Sequence, residues 1–255
     1  MSPFVALLLS YVIGSIPSAY IAGKLKGIDL RKHGSGNLGA TNVYRVLGAR
    51  VAAVVFLADV LKGALPVLLF PRWTAAAGPM AAHWAYAYGL AAILGHVRPV
   101  FLLWKGGGKG VATATGVFFA LAPLAMALAF VTFVGVVYAT GYVSLGSLTG
   151  ALVLSLALLF TQGVRSPLFA LAALVTIFVF WSHRANIRRL RRGEEHRFGR
   201  KSASGGDASR PAGVPAPTTA DMGAPPQREV ASAAGASRHP NVAAGTPVPP
   251  VEEGR

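Results

Sequence analysis

The sequence predicts an all-α polytopic membrane protein with seven transmembrane helices. Of its 255 residues, 53 % are hydrophobic and 13 % are charged, whereas about a quarter of the residues in a soluble domain are charged. The 24 Lys+Arg against 9 Asp+Glu give a net charge of +15. A basic excess beside long apolar runs is typical of membrane proteins with basic cytoplasmic loops and disfavours a nucleic-acid-binding protein. The absence of cysteine excludes disulfides, Cys-metal sites and thiol catalysis.

The first span is predicted at residues 4–23, a 20-residue apolar run without a formal charge. At about 1.5 Å per residue it is long enough to cross a hydrocarbon core of roughly 30 Å. No basic residue precedes this run, and Lys24 and Lys26 follow it. We therefore expect a retained helix with the N-terminus outside, and not a cleaved signal peptide.

Further apolar runs predict spans at residues 51–70, 80–95, 111–138, 143–160 and 168–181. Basic residues cluster at 24–50, 96–109 and 183–201. The positive-inside rule places all three clusters on the cytoplasmic side, so the chain must cross an even number of times between Lys109 and His183. The run 111–138 is too long for one crossing, and dividing it at Pro123 gives seven helices. Five helices are the alternative.

The last 55 residues differ from the rest of the chain. Residues 201–255 contain no Phe, Trp or Tyr, and Ala, Gly, Pro, Ser and Thr make up 36 of them. Such a segment cannot bury enough apolar surface to offset its ordering entropy. We predict a membrane-embedded domain at 1–200 and a disordered cytoplasmic tail at 201–255.

The first basic loop contains GSGNLGATNVYR at residues 34–45, which predicts a glycine loop that leads into a short amphipathic helix ending at Gly48. The helical repeat brings one polar set to one face. This set is Asn37, Thr41, Asn42 and Arg45. The glycines also fit a dinucleotide fingerprint, but no predicted strand precedes them. An interfacial helix with a solvated polar side is the alternative.

The second basic loop places glycines and a lysine directly before the apolar helix that begins at Val111. Glycines let backbone N–H groups approach an anion, and the helix start adds a partial positive charge. We expect a phosphate-binding loop formed by Gly106, Gly107, Gly108, Lys109 and Gly110. A Walker loop is excluded because Leu103 stands at its first glycine position. A flexible basic linker is the alternative.

The third basic cluster continues the last span into the cytoplasm. His183 and Asn186 are three residues apart and share a helix face, and a histidine at the membrane surface can serve as base, acid or anion ligand. The neighbouring arginines are expected to contact anionic lipid headgroups. Deep in the second span, Asp59 and Lys62 are expected to form a structural ion pair.

Taken in order, GSGNLGATNVYR, GHVRPVF with GGGKGVAT, and HRANI resemble the bacterial acyl-phosphate:glycerol-3-phosphate acyltransferase family (PlsY type). The resemblance covers roughly residues 4–199, including GYVSLGS at 141–147 and EEHRFG at 194–199. It departs at Ala185, where many relatives carry Glu, so a role for that carboxylate is not expected here.

The resemblance implies a multi-pass inner-membrane enzyme of phospholipid synthesis with cytoplasmic site loops. The implied reaction moves a fatty acyl group from acyl phosphate to the 1-hydroxyl of glycerol 3-phosphate, giving lysophosphatidic acid and phosphate. Functional coupling to the enzyme that makes acyl phosphate is also expected. The implied catalytic set is Ser35, Arg45, His183 and Asn186. The implied binding set is Asn37, Thr41, Asn42, Ser144, and Lys109 with its glycines.

Elementary chemistry agrees with this reaction. Two phosphates held about 5–6 Å apart at a dielectric near 20 repel by roughly 3 kcal/mol per pair of unit charges, so fixed cations are needed. Arg45 and Lys109 are the candidates. Because acyl phosphate is already activated, we expect direct hydroxyl attack, with the proton taken by His183 or by the donor phosphate, and no cofactor or metal. A transporter of phosphorylated anions is the alternative, although the polar residues concentrate at one face.

Overall fold

The computed structural model describes residues 1–74 and 79–198, and these residues are helical or irregular with no strand. The all-α prediction is therefore confirmed for this part of the chain, while the tail predicted at 201–255 lies outside the described residues. The α-helices are α1 (Pro3–Gly14), α2 (Ser18–Leu25), α3 (Ala40–Leu47), α4 (Ala49–Trp73), α5 (Pro79–Val97), α6 (Val111–Leu121), α7 (Pro123–Thr140), α8 (Val143–Gln162), α9 (Pro167–Ser182) and α10 (Arg184–Arg191). Short 3-10 helices lie at Leu30–Lys32 and Val100–Leu102.

Several of these helices are long and apolar enough to cross a membrane. By length and composition, five candidate spans occur in the described residues: Pro3–Leu25, Ala49–Trp73, Met80–Leu102, Pro123–Thr140 and Val143–Gln162. Helices α9 and α10, bent by 58°, add a sixth if the pair is counted as one span, and α6 is a shorter apolar helix. The protein is therefore an integral, multi-pass membrane protein.

Two interruptions in the helices have local causes. The long apolar run 111–138 divides as predicted, since α6 ends at Leu121 and α7 begins at Pro123, whose ring suits the first position of a helix. The first span, predicted at residues 4–23 as one helix, is confirmed as the candidate span Pro3–Leu25, but it consists of two helices, α1 and α2. The chain leaves helical geometry between Gly14 and Ser18, because Pro17 cannot donate a backbone hydrogen bond.

Glycines bring the apolar helices close together. A Cβ added to Gly14 would lie 2.1 Å from the carbonyl oxygen of Ala92, so the glycine allows α1 to pack closely against α5. A Cβ added to Gly116 would lie 1.9 Å from the backbone oxygen of Val60, so this glycine allows α6 to pack closely against α4. Small residues at helix contacts are the usual means of tight packing within membranes.

Short elements at the helix ends position the polar motifs. As predicted, α3 ends before Gly48, whose φ of 85° is accessible to glycine at low cost. The start of α6, the start of α8 and the bend between α9 and α10 meet α3 around one cavity.

Candidate active site

A polar cavity of about 1110 Å³ lies where these helix ends meet. Ten of the thirteen predicted site residues line it: Ser35, Asn37, Thr41, Asn42, Arg45, Lys109, Gly110, Ser144, His183 and Asn186. They come from the start of α8 and from three motifs, of which the first and the third lie more than a hundred residues apart in the chain. The fold therefore gathers most of the predicted residues into a single site.

The glycine loop before α3 is held in place by Asn42, which is 1 % exposed. Its Oδ1 accepts a hydrogen bond from the backbone N–H of Ser35 at 2.8 Å. Its Nδ2 donates to the backbone oxygens of Leu30 at 3.3 Å and His33 at 3.1 Å. Because both ends of the amide are used by the loop, Asn42 fixes the path that brings Ser35 to the cavity.

A hydrogen-bonded network joins the second and third motifs. The Nζ of Lys109 donates to Oδ1 of Asn186, and Nδ2 of Asn186 donates to Oε1 of Glu195 at 2.6 Å. The same carboxylate accepts hydrogen bonds from Ser144 Oγ at 2.9 Å and from Arg189 Nε at 2.7 Å. Glu195 therefore orders the polar groups around Lys109.

The electrostatics of the cavity favour anions. Burial lowers the pKa of Lys109 to about 8, which leaves the amine mostly protonated at neutral pH. Burial also lowers the pKa of Arg45, but a guanidinium remains charged at any physiological pH. Burial opposes ionisation of Glu195, yet its three hydrogen-bond donors outweigh that effect and lower the pKa of this carboxyl. The cavity lining thus holds three cations, Lys109, Arg45 and Arg189, against two carboxylates, Glu195 and Asp59, and Asp59 is paired with Lys62.

His183 lies at the C-terminal end of α9, where a backbone contact fixes the orientation of its ring. The side chain is buried, and its Nδ1 lies 2.8 Å from the backbone oxygen of Val179. A carbonyl oxygen only accepts hydrogen bonds, so Nδ1 carries the proton. In the neutral ring Nε2 then holds a lone pair and can accept a proton.

Three predicted residues, Gly106, Gly107 and Gly108, do not line the cavity. Cβ atoms added to Gly107 and Gly108 would lie 2.2 Å from the Val97 oxygen and 1.9 Å from Nε2 of His96, respectively. These two glycines allow the loop to lie directly on the end of α5. Only Lys109 and Gly110 of this loop reach the cavity.

Four titratable residues that line the cavity were not among the predicted site residues: Asp59, His96, Arg189 and Glu195. Glu195 follows a run of arginines and carries no helical periodicity with the other motifs. The available signal was its rarity, since residues 1–200 contain only four acidic side chains. Ala185 also lines the cavity, so Glu195 supplies a carboxylate near that position. Within the described residues, no group of three or more His, Cys, Asp or Glu could hold a metal ion.

An apolar pocket adjoins the polar cavity. It has a volume of about 560 Å³, including the solvent at its open side, and is lined by side chains of α4 and of α6 to α9. Four residues line both spaces: Phe56, Val111, Phe133 and Ser147. The site can therefore accept a molecule with an anionic head and an apolar chain.

Comparison with known proteins gives one consistent family. The profile of the glycerol-3-phosphate acyltransferase family matches residues 4–193. The chain is 46 % identical over 192 residues to the glycerol-3-phosphate acyltransferase of Geobacter sulfurreducens, which covers 74 % of this chain and 94 % of that relative. It is 49 % identical over 191 residues to the enzyme of the same name from Trichlorobacter lovleyi, with the same coverage.

Solved structures agree with the sequence relatives. The fold is similar to a crystal structure of PlsY (YgiH), an integral membrane glycerol 3-phosphate acyltransferase, in its glycerol 3-phosphate form, with a TM-score of 0.70 and 40 % identity. The match covers 77 % of this chain and 96 % of that one. The lysophosphatidic acid form of the same protein matches with a TM-score of 0.68. The chain therefore belongs to the glycerol-3-phosphate acyltransferase family of integral membrane proteins.

Proposed function

We propose that this protein transfers a fatty acyl group from acyl phosphate to the 1-hydroxyl of glycerol 3-phosphate, forming lysophosphatidic acid and inorganic phosphate. The observation that carries the proposal is the cationic cavity that shares lining residues with an apolar pocket. An acyl phosphate has one end suited to each space, and glycerol 3-phosphate suits the polar one. The names of the relatives support glycerol 3-phosphate as acceptor, and the lysophosphatidic acid form of the solved structure supports the product.

In this proposal, fixed cations compensate for the two phosphates. Lys109 and Arg45 line the cavity and supply that charge. Hydrogen-bonding groups from the first motif contact the substrates: Ser35, Asn37 and Thr41. Asn42 contributes by holding the loop in place. Gly110 presents its backbone to the cavity at the start of α6. Gly107 and Gly108 contribute by letting the loop pack on α5, and Gly106 by a backbone turn with a φ of 78°.

The proposed chemistry is a direct acyl transfer. The 1-hydroxyl oxygen of glycerol 3-phosphate attacks the carbonyl carbon, the bond from that carbon to the phosphate oxygen breaks, and phosphate leaves. Nε2 of His183 accepts the hydroxyl proton and returns it to the departing phosphate. Asn186 and Ser144, both fixed by Glu195, hold the reacting groups in alignment. The mixed anhydride needs no protein nucleophile.

The membrane arrangement in the proposal has seven spans. They are the five long candidates, the bent pair α9 and α10, and the shorter α6. The basic loops then lie in the cytoplasm and the N-terminus outside, in the inner membrane of a bacterial cell. Residues 1–200 form the catalytic domain, and residues 201–255 form a cytoplasmic tail.

The donor also implies a partner. Acyl phosphates are reactive mixed anhydrides, so functional coupling to the enzyme that makes the donor would limit its hydrolysis. Membrane lipids would surround the apolar helices and receive the product.

The test is a reconstituted assay with purified protein, palmitoyl phosphate and glycerol 3-phosphate, with acyl-CoA as a parallel donor. Equimolar lysophosphatidic acid and phosphate from acyl phosphate alone is the expected result. Product from acyl-CoA alone would overturn the choice of donor. Solute flux into sealed vesicles without any acyl transfer would replace the proposal with anion transport.

A further inference from the structure

A buried polar cluster on α4 and α5 has no part in the proposed chemistry. Nζ of Lys62 lies 2.7 Å from Oδ1 of Asp59, as the sequence predicts, and Nδ1 of His96 lies 3.6 Å from the same oxygen. The three residues are 6 %, 1 % and 6 % exposed, respectively. Charged groups inside a membrane are costly, and a buried ion pair is often no more stabilising than apolar residues of equal volume. The cluster is therefore a candidate for a functional role.

The cluster connects separate parts of the backbone. Lys62 donates a hydrogen bond to the backbone oxygen of Ile16 at 2.8 Å, in the break between α1 and α2. The backbone N–H of Gly108 donates to the backbone oxygen of His96 at 3.2 Å. Because a Cβ at Gly108 would lie only 1.9 Å from Nε2 of His96, the loop lies directly against the imidazole. The next residue in the chain is Lys109.

The cluster also forms a wall of the polar cavity. Asp59 and His96 line that cavity, and both line a smaller one of about 200 Å³ that also contacts Lys62 and Gly108. An unpaired carboxylate at this wall would repel phosphate substrates. Lys62 neutralises this carboxylate, so the pair adds little net charge to the cavity. The cluster can therefore act on the cavity through the position of the groups that it contacts.

We infer that Asp59 and His96 are positioning residues for Lys109. Asp59 orients the imidazole of His96, the imidazole supports the main chain at Gly108, and this support holds the Lys109 ammonium at Asn186. The inference rests on the proposed function for its kinetic consequences. A displacement of about 1 Å at a catalytic group can cost roughly a hundredfold in rate, so a small shift of the loop has a measurable effect.

The kinetic test is a double-mutant cycle on the full chain in lipid vesicles, with kcat/KM for glycerol 3-phosphate as the readout. Asp59→Asn and His96→Ala should each lower kcat/KM by about 10- to 100-fold. In a Lys109→Gln background the same changes should cost less than about twofold, since the group they position is gone. If Asp59→Asn or His96→Ala lowers kcat/KM by the same factor in the Lys109→Gln background as in the wild type, the inference is wrong and that residue has a separate role.

The matched control is Tyr88→Phe. Tyr88 lies on α5 two turns before His96, is fully buried, and has a hydroxyl with no hydrogen-bond partner among the described residues. This variant should keep wild-type activity. If it loses as much as His96→Ala does, the loss reflects general disturbance of α5, and the inference fails.

A second readout does not depend on activity. Burial lowers the pKa of Lys109 to about 8, against an ordinary 10.5. If His96 supports the loop, Asp59→Asn and His96→Ala should both release Lys109 toward water and raise its pKa. NMR of ¹³C-methylated lysines, assigned with Lys109→Arg, measures this directly. An unchanged Lys109 pKa in a folded Asp59→Asn variant would refute positioning, whereas failure of acyl transfer by the wild type would refute only the proposed function.

Discussion

Raising the pH from 7 to 9 should weaken the binding of glycerol 3-phosphate through Lys109. Burial lowers the pKa of this amine to about 8, and only the protonated amine attracts a phosphate. The charged fraction then falls from about 90 % at pH 7 to about 10 % at pH 9. The substrate phosphate is already a dianion in this range, since its second pKa is near 6. The apparent KM should therefore rise about tenfold between these two pH values.

The assay measures initial rates against glycerol 3-phosphate at saturating palmitoyl phosphate and constant ionic strength, because salt screens exposed charges. Calorimetric binding of glycerol 3-phosphate without the donor separates affinity from chemistry. Lys109→Arg is the control, since a guanidinium stays charged throughout and should give a KM that is flat with pH. A wild-type KM that does not change between pH 7 and 9 would contradict the role of the Lys109 charge in substrate binding. An equal rise in Lys109→Arg would assign the effect to another group.

Three further outcomes are expected. Glu195→Ala leaves the buried donors of Ser144 and Asn186, and the partly exposed Arg189, without an acceptor, and should lower the unfolding free energy by about 3 kcal/mol, measured by denaturation in detergent; an unchanged unfolding transition would contradict the network. His183→Gln should reduce kcat by about 10²- to 10⁴-fold, whereas a near-normal rate would indicate that the donor phosphate accepts the hydroxyl proton. Gly116→Ala would place a Cβ 1.9 Å from the Val60 oxygen and should destabilise by about 1–3 kcal/mol. Gly135→Ala has open space around it and should not, so equal effects would contradict the packing argument.

Much of the fold follows from local properties of the sequence. Apolar runs predict the long helices because a hydrocarbon core admits little else, and the division at Pro123 follows from the missing backbone N–H. The end of α3 at Gly48 follows from a backbone conformation that favours glycine. The polar motifs also identify most of the polar residues that line the cavity, because charged and amide groups are rare in this chain and concentrate at one end of the spans.

The remaining features depend on contacts between distant residues. Glu195 bonds to Ser144 across 51 positions, and no periodicity links the two. The glycines before Lys109 fit an anion cradle and a packing surface equally well in the sequence. Cβ atoms on Gly107 and Gly108 would clash with His96, so the structure favours the packing role for these two glycines. His96 lies in the GHVRPVF motif but was not predicted as a site residue, because a single histidine at the end of a span is ordinary in composition.

Palmitoyl phosphate labelled with ¹⁸O at the oxygen that bridges carbon and phosphorus tests the proposed reaction at the bond that breaks. Purified protein in vesicles receives this donor and glycerol 3-phosphate, and mass spectrometry follows both products. Direct acyl transfer predicts equimolar lysophosphatidic acid and phosphate, with the label entirely in the phosphate. Absence of lysophosphatidic acid from folded protein, or label missing from the phosphate, would contradict acyl transfer by attack at the carbonyl carbon.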